Sequence, residues 1–207
     1  MSKISLKHSG GNVVSLNSPT NAPTSSDVAF KLPNADGTSG QVLKTDGSGN
    51  LSFAGTGKIL QVKQVVKTDT FTSSVNGTDI TGLSVTMDAP ASSSSKYLIF
   101  ANVPVMGSNY GGGIRLNGTT NGVLLQPTSY GSRTPVSGAE AYQSNNQKNH
   151  VDALCFLDSP STSNAQTYKV QVVTAGATIK INRLNVDTDS SSYSRGCATL
   201  TVMEVAA

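Results

Sequence analysis

Tryptophan is absent from the 207-residue chain, aromatic residues make up 5%, and Asp, Glu, Lys and Arg together only 13%. An average soluble domain carries roughly 25% charged residues, so the composition fits neither a coiled coil nor a charge-rich disordered tail. No apolar run approaches the ~18 residues of a membrane-spanning helix. The opening MSKISLKHSGG lacks the apolar centre of a signal peptide. The expectation is a protein that does not insert in membranes and stays in the cytoplasm where it is made until it is assembled. Net charge is +3 with the basic residues scattered, whereas a nucleic-acid footprint needs Lys and Arg clustered on one face. Only two cysteines occur, Cys155 and Cys197. Both stand in apolar strand-like runs, which predicts buried thiols ahead of a disulfide or a nucleophile. Ser, Thr, Asn and Gly fill the space left by charge. That balance predicts an all-β protein with many polar turns, burying extra surface by oligomerising.

The chain divides by pattern near Gly55–Gly57. Residues 1–56 contain Pro19, Pro23 and Pro33 and sustain no apolar period, so this stretch cannot bury enough apolar surface to build its own core. Its apolar residues come in short groups: Ile4 and Leu6; Val13, Val14 and Leu16; Val28 and Phe30. Val42-Leu43 and Leu51 with Phe53 follow further along. Spaced this way they suit an extended arm docking piecewise on a partner. Fully extended at ~3.3 Å per residue, some fifty residues would reach ~165 Å.

From residue 57 to 207 the chain reads as strands between turn clusters. The predicted strands are Lys58–Lys67, Asp79–Met87, Lys96–Val105, Gly113–Asn117, Gly122–Gln126, His150–Leu157, Thr167–Thr174, Thr178–Val186 and Cys197–Val205. In YLIFANVPV the residues Tyr97, Ile99, Ala101, Val103 and Val105 share one face, and TYKVQVV repeats the pattern with Tyr168, Val170 and Val172. In the last strand Ala198, Leu200 and Val202 oppose Cys197, Thr199, Thr201 and Met203, and both faces are at least half apolar. A strand covered on both sides has that look. About nine short strands without helical period predict a β-sandwich or jelly roll.

The connector KLPNADGTSGQVLKTDGSGNLSFAGTG, Lys31 to Gly57, places Asp36-Gly37 and Asp46-Gly47 ten residues apart. A calcium loop would alternate oxygen ligands and close on a Glu. TDGSGN offers Asp46, Ser48 and Asn50 but no Glu, so turns are the expectation. GTGKIL has Gly57-Lys58 followed by Ile59, where a phosphate loop needs Ser or Thr opening a helix. There are two histidines, His8 and His150, and no Gly-x-Ser-x-Gly elbow. The only glutamates, Glu140 and Glu204, form no local carboxylate pair with Asp152, Asp158, Asp187 or Asp189 of the kind glycoside hydrolysis needs. These readings predict no enzymatic activity, no cofactor and no metal. The loops over 107–113 and 126–149 set Tyr110, Tyr130, Arg133, Tyr142, Asn145 and Asn146 among Gly and Ser. Rigid aromatic area with adaptable hydrogen bonding is how recognition loops are composed. A cell-surface sugar or protein is the ligand class this predicts, with plain shielding of an oligomer's end as the alternative.

Longer stretches carry a family likeness. The segment SKISLKHSGGNVVSLNSPTNAPTSSDVAFKLPNADGTSGQVLKTDGSGNLSF resembles the N-terminal segment of fibre-like virion proteins from marine tailed phages. GKILQVKQ, SSKYLIFANVPV, FLDSPSTSNAQTYKVQ, INRLNVDTDSSSYSRG and TLTVMEVAA resemble the C-terminal knob of the same group. The likeness covers most of the chain except residues 107–149, and its stretches are not catalytic signatures. It implies a homotrimeric, non-enzymatic appendage on the virion surface: an N-terminal arm held by other virion proteins of tail or capsid, then a jelly-roll knob. On it, Ile4, Leu6, Val13, Val14, Leu16, Val28 and Phe30 are the expected docking residues. The chain lacks the long shaft of many phage fibres, which leaves room for a short fibre, a head fibre or a capsid decoration protein.

Overall fold

A computed structural model describes residues 3–17, 19–21, 28–55, 57–108, 111–128, 131–140 and 150–206. Among them there is no helix, and the architecture is all-β. The chain separates into two compact units, Met1–Thr56 and Gly57–Ala207.

The first unit holds two antiparallel hairpins. β1 (Lys3–Lys7) pairs with β2 (Val13–Asn17), and β3 (Gln41–Thr45) with β4 (Leu51–Gly55). The apolar groups expected along an extended arm therefore pair with one another: Ile4 faces Leu16, and Leu43 faces Phe53. This pairing shortens the reach that full extension would give. The reason lies in the connections. In the second hairpin the Asp46 carboxylate accepts hydrogen bonds from the Ser48 and Asn50 amides (2.7 and 3.1 Å) and from Asn50 Nδ2 (2.5 Å). Gly47 and Gly49 take φ of 82° and 86°, conformations that L side chains avoid. A Cβ on Gly49 would also sit 2.6 Å from the Ala29 carbonyl, and one on Gly37 2.7 Å from the Phe53 ring. The Asp-Gly pairs thus serve as turn and close-approach sites.

The second unit is sandwich-like. One sheet runs β10 (Gly122–Leu124), β9 (Gly112–Gly118), β13 (Thr167–Thr174), β7 (Asp79–Thr86), with β11 (Gly138–Glu140) also pairing β9. The other runs β5 (Ile59–Lys67), β15 (Ala198–Val205), β8 (Lys96–Ser108), β14 (Thr178–Ile181), β6 (Phe71–Ser73), with β12 (His150–Asp158) also pairing β8. The thirteen-residue β8 is the organiser: β12 pairs along Tyr97–Val105, β15 along Lys96–Asn102 and β14 along Val105–Ser108. Its predicted stripe Tyr97, Ile99, Ala101, Val103 and Val105 is fully buried. It meets Tyr168, Val170 and Val172 of β13, Leu83 and Val85 of β7, and Leu200 and Val202 of β15 in one core. The Tyr97 and Tyr168 rings lie 5.5 Å apart at a tilt of 51°.

Several details depart from the sequence reading: β6 and β11 are strands it does not include, and β8 continues from Val105 to Ser108. The strand expected over Thr178–Val186 stops at Ile181, because Asn182 turns to φ 62°. The one expected over Gly122–Gln126 stops at Leu124, because Leu125 has φ 47°. Both thiols, expected to be buried, are exposed. Alternation along β12 puts Leu154 in the core and so turns Cys155 outward, while Cys197 precedes Ala198, the first core residue of β15. β15 itself lies between β5 and β8 rather than at an edge.

Candidate functional site

The first candidate is the apolar surface of the hairpin unit. Register and alternation bring Ile4, Leu6 and Leu16 to one face of the β1–β2 hairpin, with Leu6 opposite Val14 in the ladder. Ile4, Leu6 and Leu16 are 68%, 72% and 74% exposed. Val13 is also exposed but sits on the other face of the pleat. Val28 and Phe30, both exposed, precede Lys31, whose main chain exchanges hydrogen bonds with Gly49 and Leu51 beside the second hairpin. The docking residues read from sequence are thus divided between the two faces of one hairpin and an irregular connecting segment.

Of the expected recognition loops, Arg133 is described and exposed. It borders a ≈ 370 Å³ hollow with Gly111, Gly112, Ser132, Thr134 and Ala175. Tyr110, Tyr130, Tyr142, Asn145 and Asn146 lie outside the described residues. A larger cleft, ≈ 850 Å³, opens between the β10 turn and β12 and is lined by Val123, Leu125, Pro127, Val136, Phe156 and Asp158 among others. No motif hints at it, since its wall depends on the left-handed Leu125. The polar group at its base is internally committed. Asp158 accepts from Asn121 Nδ2 (2.7 Å), the Ser159 amide (3.0 Å) and the Tyr168 hydroxyl (2.8 Å). Burial, then the bond to Asp158, pushes the Tyr168 phenol far up. Burial likewise raises Tyr97 to about 12, with the charges of Glu204 and Asp158 adding to it. These tyrosines are neutral core members that tie the two sheets, without the ionisation a catalytic phenol would use.

His150 and Asp152 stand two apart on β12, with Nε2 3.0 Å from Oδ1. Burial raises the Asp152 carboxyl, and the neighbouring His150 draws it back down. Gly138 leaves the space the carboxylate occupies, since a Cβ there would lie 2.6 Å from Asp152 Cγ. A second polar hollow, ≈ 490 Å³, is lined by Asp187, Asp189, Tyr193 and Arg195. There Arg195 grips Asp187 in a two-pronged pair at 3.1 and 2.8 Å, which holds that carboxyl below its usual range. Among the described residues, no group of three or more His, Cys, Asp and Glu comes together as metal ligands. No known protein-family model matches the chain, and no curated protein matches it.

Proposed function

We propose that the chain is a virion structural protein of a tailed phage. Residues 1–56 dock it to the particle, and residues 57–207 form a trimeric jelly-roll knob offered to the host surface. The carrying observation is the contrast between the two units. The hairpin unit leaves Ile4, Leu6, Leu16, Val28 and Phe30 open to solvent, while the second unit closes a complete core around β8. An isolated two-stranded hairpin is marginal in water, so these hairpins gain stability only against another surface. The resemblance of both regions to fibre-like phage proteins supplies the identity of that surface, a tail or capsid protein.

In this mechanism each arm contributes exposed apolar side chains and unpaired strand edges to the particle. Three arms on one trimer make the attachment multivalent, so modest contacts hold firmly. The loops carrying Tyr110, Tyr130, Arg133, Tyr142, Asn145 and Asn146 then meet a host glycan or protein. No step requires bond chemistry. Deleting residues 1–30 is expected to leave a soluble folded body that no longer incorporates into particles. Wild-type occupancy by the truncated protein would refute the docking role. The competing reading, capsid reinforcement without host recognition, predicts instead that particles lacking the protein lose heat stability while adsorbing to cells normally.

A further inference from the structure

The two outer faces of the sandwich-like unit differ in kind. On the five-stranded sheet the outward side chains form a charged ladder. Lys169 Nζ lies 2.7 Å from Asp79 Oδ2, Gln171 Nε2 donates to Asp79 Oδ1 at 2.6 Å, and Arg115 Nε donates to Gln171 Oε1 at 2.8 Å. On the six-stranded sheet, register sets uncharged side chains in rows across β5, β15, β8 and β12. One row is Val62, Met203, Leu98 and Leu157. The next is Gln64, Thr201, Phe100 and Cys155, and the third runs from Val66 to Ala153 by way of Thr199 and Asn102. Val62 and Val66 are more than half exposed, and Leu157 and Phe100 are also open to solvent.

Three rows on four strands, at ~4.8 Å between strands and ~3.4 Å per residue, span on the order of 400 Å² of flat sheet. Four of the twelve positions are polar, so the face is mixed, and its area matches the largest patch on an ordinary soluble monomer, a patch that is often functional. Side-chain relief adds to the accessible area, which brings it to the ~500 Å² per partner of the smallest specific interfaces. The charge pattern selects the occupant. When copies meet around a symmetry axis, a charge near that axis faces its own duplicate and repels it. These twelve positions hold no charge, and Gln64, Asn102, Thr199 and Thr201 carry both donors and acceptors. Such a surface is complementary to itself and offers nothing to steer a charged partner.

We propose that this face is the self-association surface of the protein, with Phe100 and Cys155 at the centre of the contact between copies. The inference rests on the oligomeric body of the proposed function and not on its particle docking, so either can fail alone. Sedimentation of the full chain at micromolar concentration is expected to give a multimer. Phe100→Lys and Val62→Lys reduce it to monomer, while Ser84→Lys, exposed on the opposite sheet, leaves it intact. On the wild type, site-resolved alkylation of Cys155 slows about tenfold from the dissociated to the concentrated protein, because covering a thiol removes its access. That second measurement needs no variant to fold. A wild-type monomer, a multimer that survives both lysines, or a Cys155 rate independent of concentration would each overturn the proposal.

Discussion

Asn182 carries more of the second unit than its side chain suggests. It is fully buried at φ 62°. Its Nδ2 donates to the carbonyls of Lys67 (2.8 Å) and Asp69 (3.0 Å), its amide to Pro104 O (3.1 Å), and its carbonyl accepts from Gly196 (3.2 Å). One residue thus joins the ends of β5 and β14 to Pro104 within β8 and to the approach to β15. Asn182→Ala removes two hydrogen bonds to carbonyls, about 2–3 kcal/mol together. It also forces alanine into the left-handed region at about 1–2 kcal/mol. Asn182 Oδ1 is buried without a partner, so its removal returns about 1 kcal/mol. The expected net loss is about 2–4 kcal/mol, a Tm drop of roughly 4–16 °C for a unit of this size. Asn182→Gly loses the same side-chain bonds but tolerates the backbone, so it should cost about 1–2 kcal/mol less than alanine. Urea unfolding followed by far-ultraviolet circular dichroism, at one fixed protein concentration, separates the two. Equal losses for Gly and Ala would refute the backbone part of the reasoning. Losses below about 0.5 kcal/mol for both would refute the corner role altogether.

Two further outcomes follow from buried or paired carboxylates. Burial pushes the Asp79 carboxyl up, but the hydrogen bonds from Lys169 and Gln171 outweigh it and hold the group below its ordinary 3.8. The stability this contributes is present above that value and lost as pH falls through the lower folded one. Asp79→Asn is therefore expected to be less stable at neutral pH and to converge on the wild type in strong acid; a constant gap in Tm down to the lowest pH would contradict this. Glu204, fully buried at the end of β15, accepts from Gln61 Nε2 (2.7 Å) and the Ala91 amide (2.8 Å). Glu204→Ala leaves the Ala91 amide unpaired and Gln61 Nε2 with only its longer bond to the Ala89 carbonyl (3.4 Å), and should cost about 2–4 kcal/mol in urea unfolding. Glu204→Gln keeps an acceptor for Ala91 and should cost less than half as much; equal costs would show that the Ala91 bond contributes nothing.

What could be read from sequence was what alternation encodes. The β8 stripe and the Tyr168, Val170, Val172 face show a clean period of two, and both lie in the core. Alternation alone does not say which of two apolar faces turns inward. For that reason Cys155 and Cys197 lie on the side opposite the one expected, and of the outer apolar face of the six-stranded sheet only the β15 stretch shows in the sequence. Strands β6 and β11, three residues each, are too short to show a period. Their places depend on long-range partners, Thr178–Ile181 and Gly112–Ile114. The ends of β10 and β14 depend on left-handed Leu125, a residue type that does not announce that conformation, and on Asn182, one of many Asn residues of a type that tolerates it. In residues 1–56 the apolar groups were visible but their pairing was not, because five-residue strands leave little pattern. Among candidate sites, the Asp46 turn was legible from its Asp-Gly-Ser-Gly-Asn chemistry. The His150–Asp152 pair and the cleft beside Asp158 needed the folded register to bring them into view.

The proposed hold of residues 1–56 on a phage particle can be seen by cryo-electron microscopy of virions made with and without this protein. Threefold density for the β-rich body is expected in the first sample only, joined to a tail or capsid protein through the segment containing Ile4, Leu6, Leu16 and Phe30. Particles that lack such density while the protein accumulates free in the infected cell would contradict it.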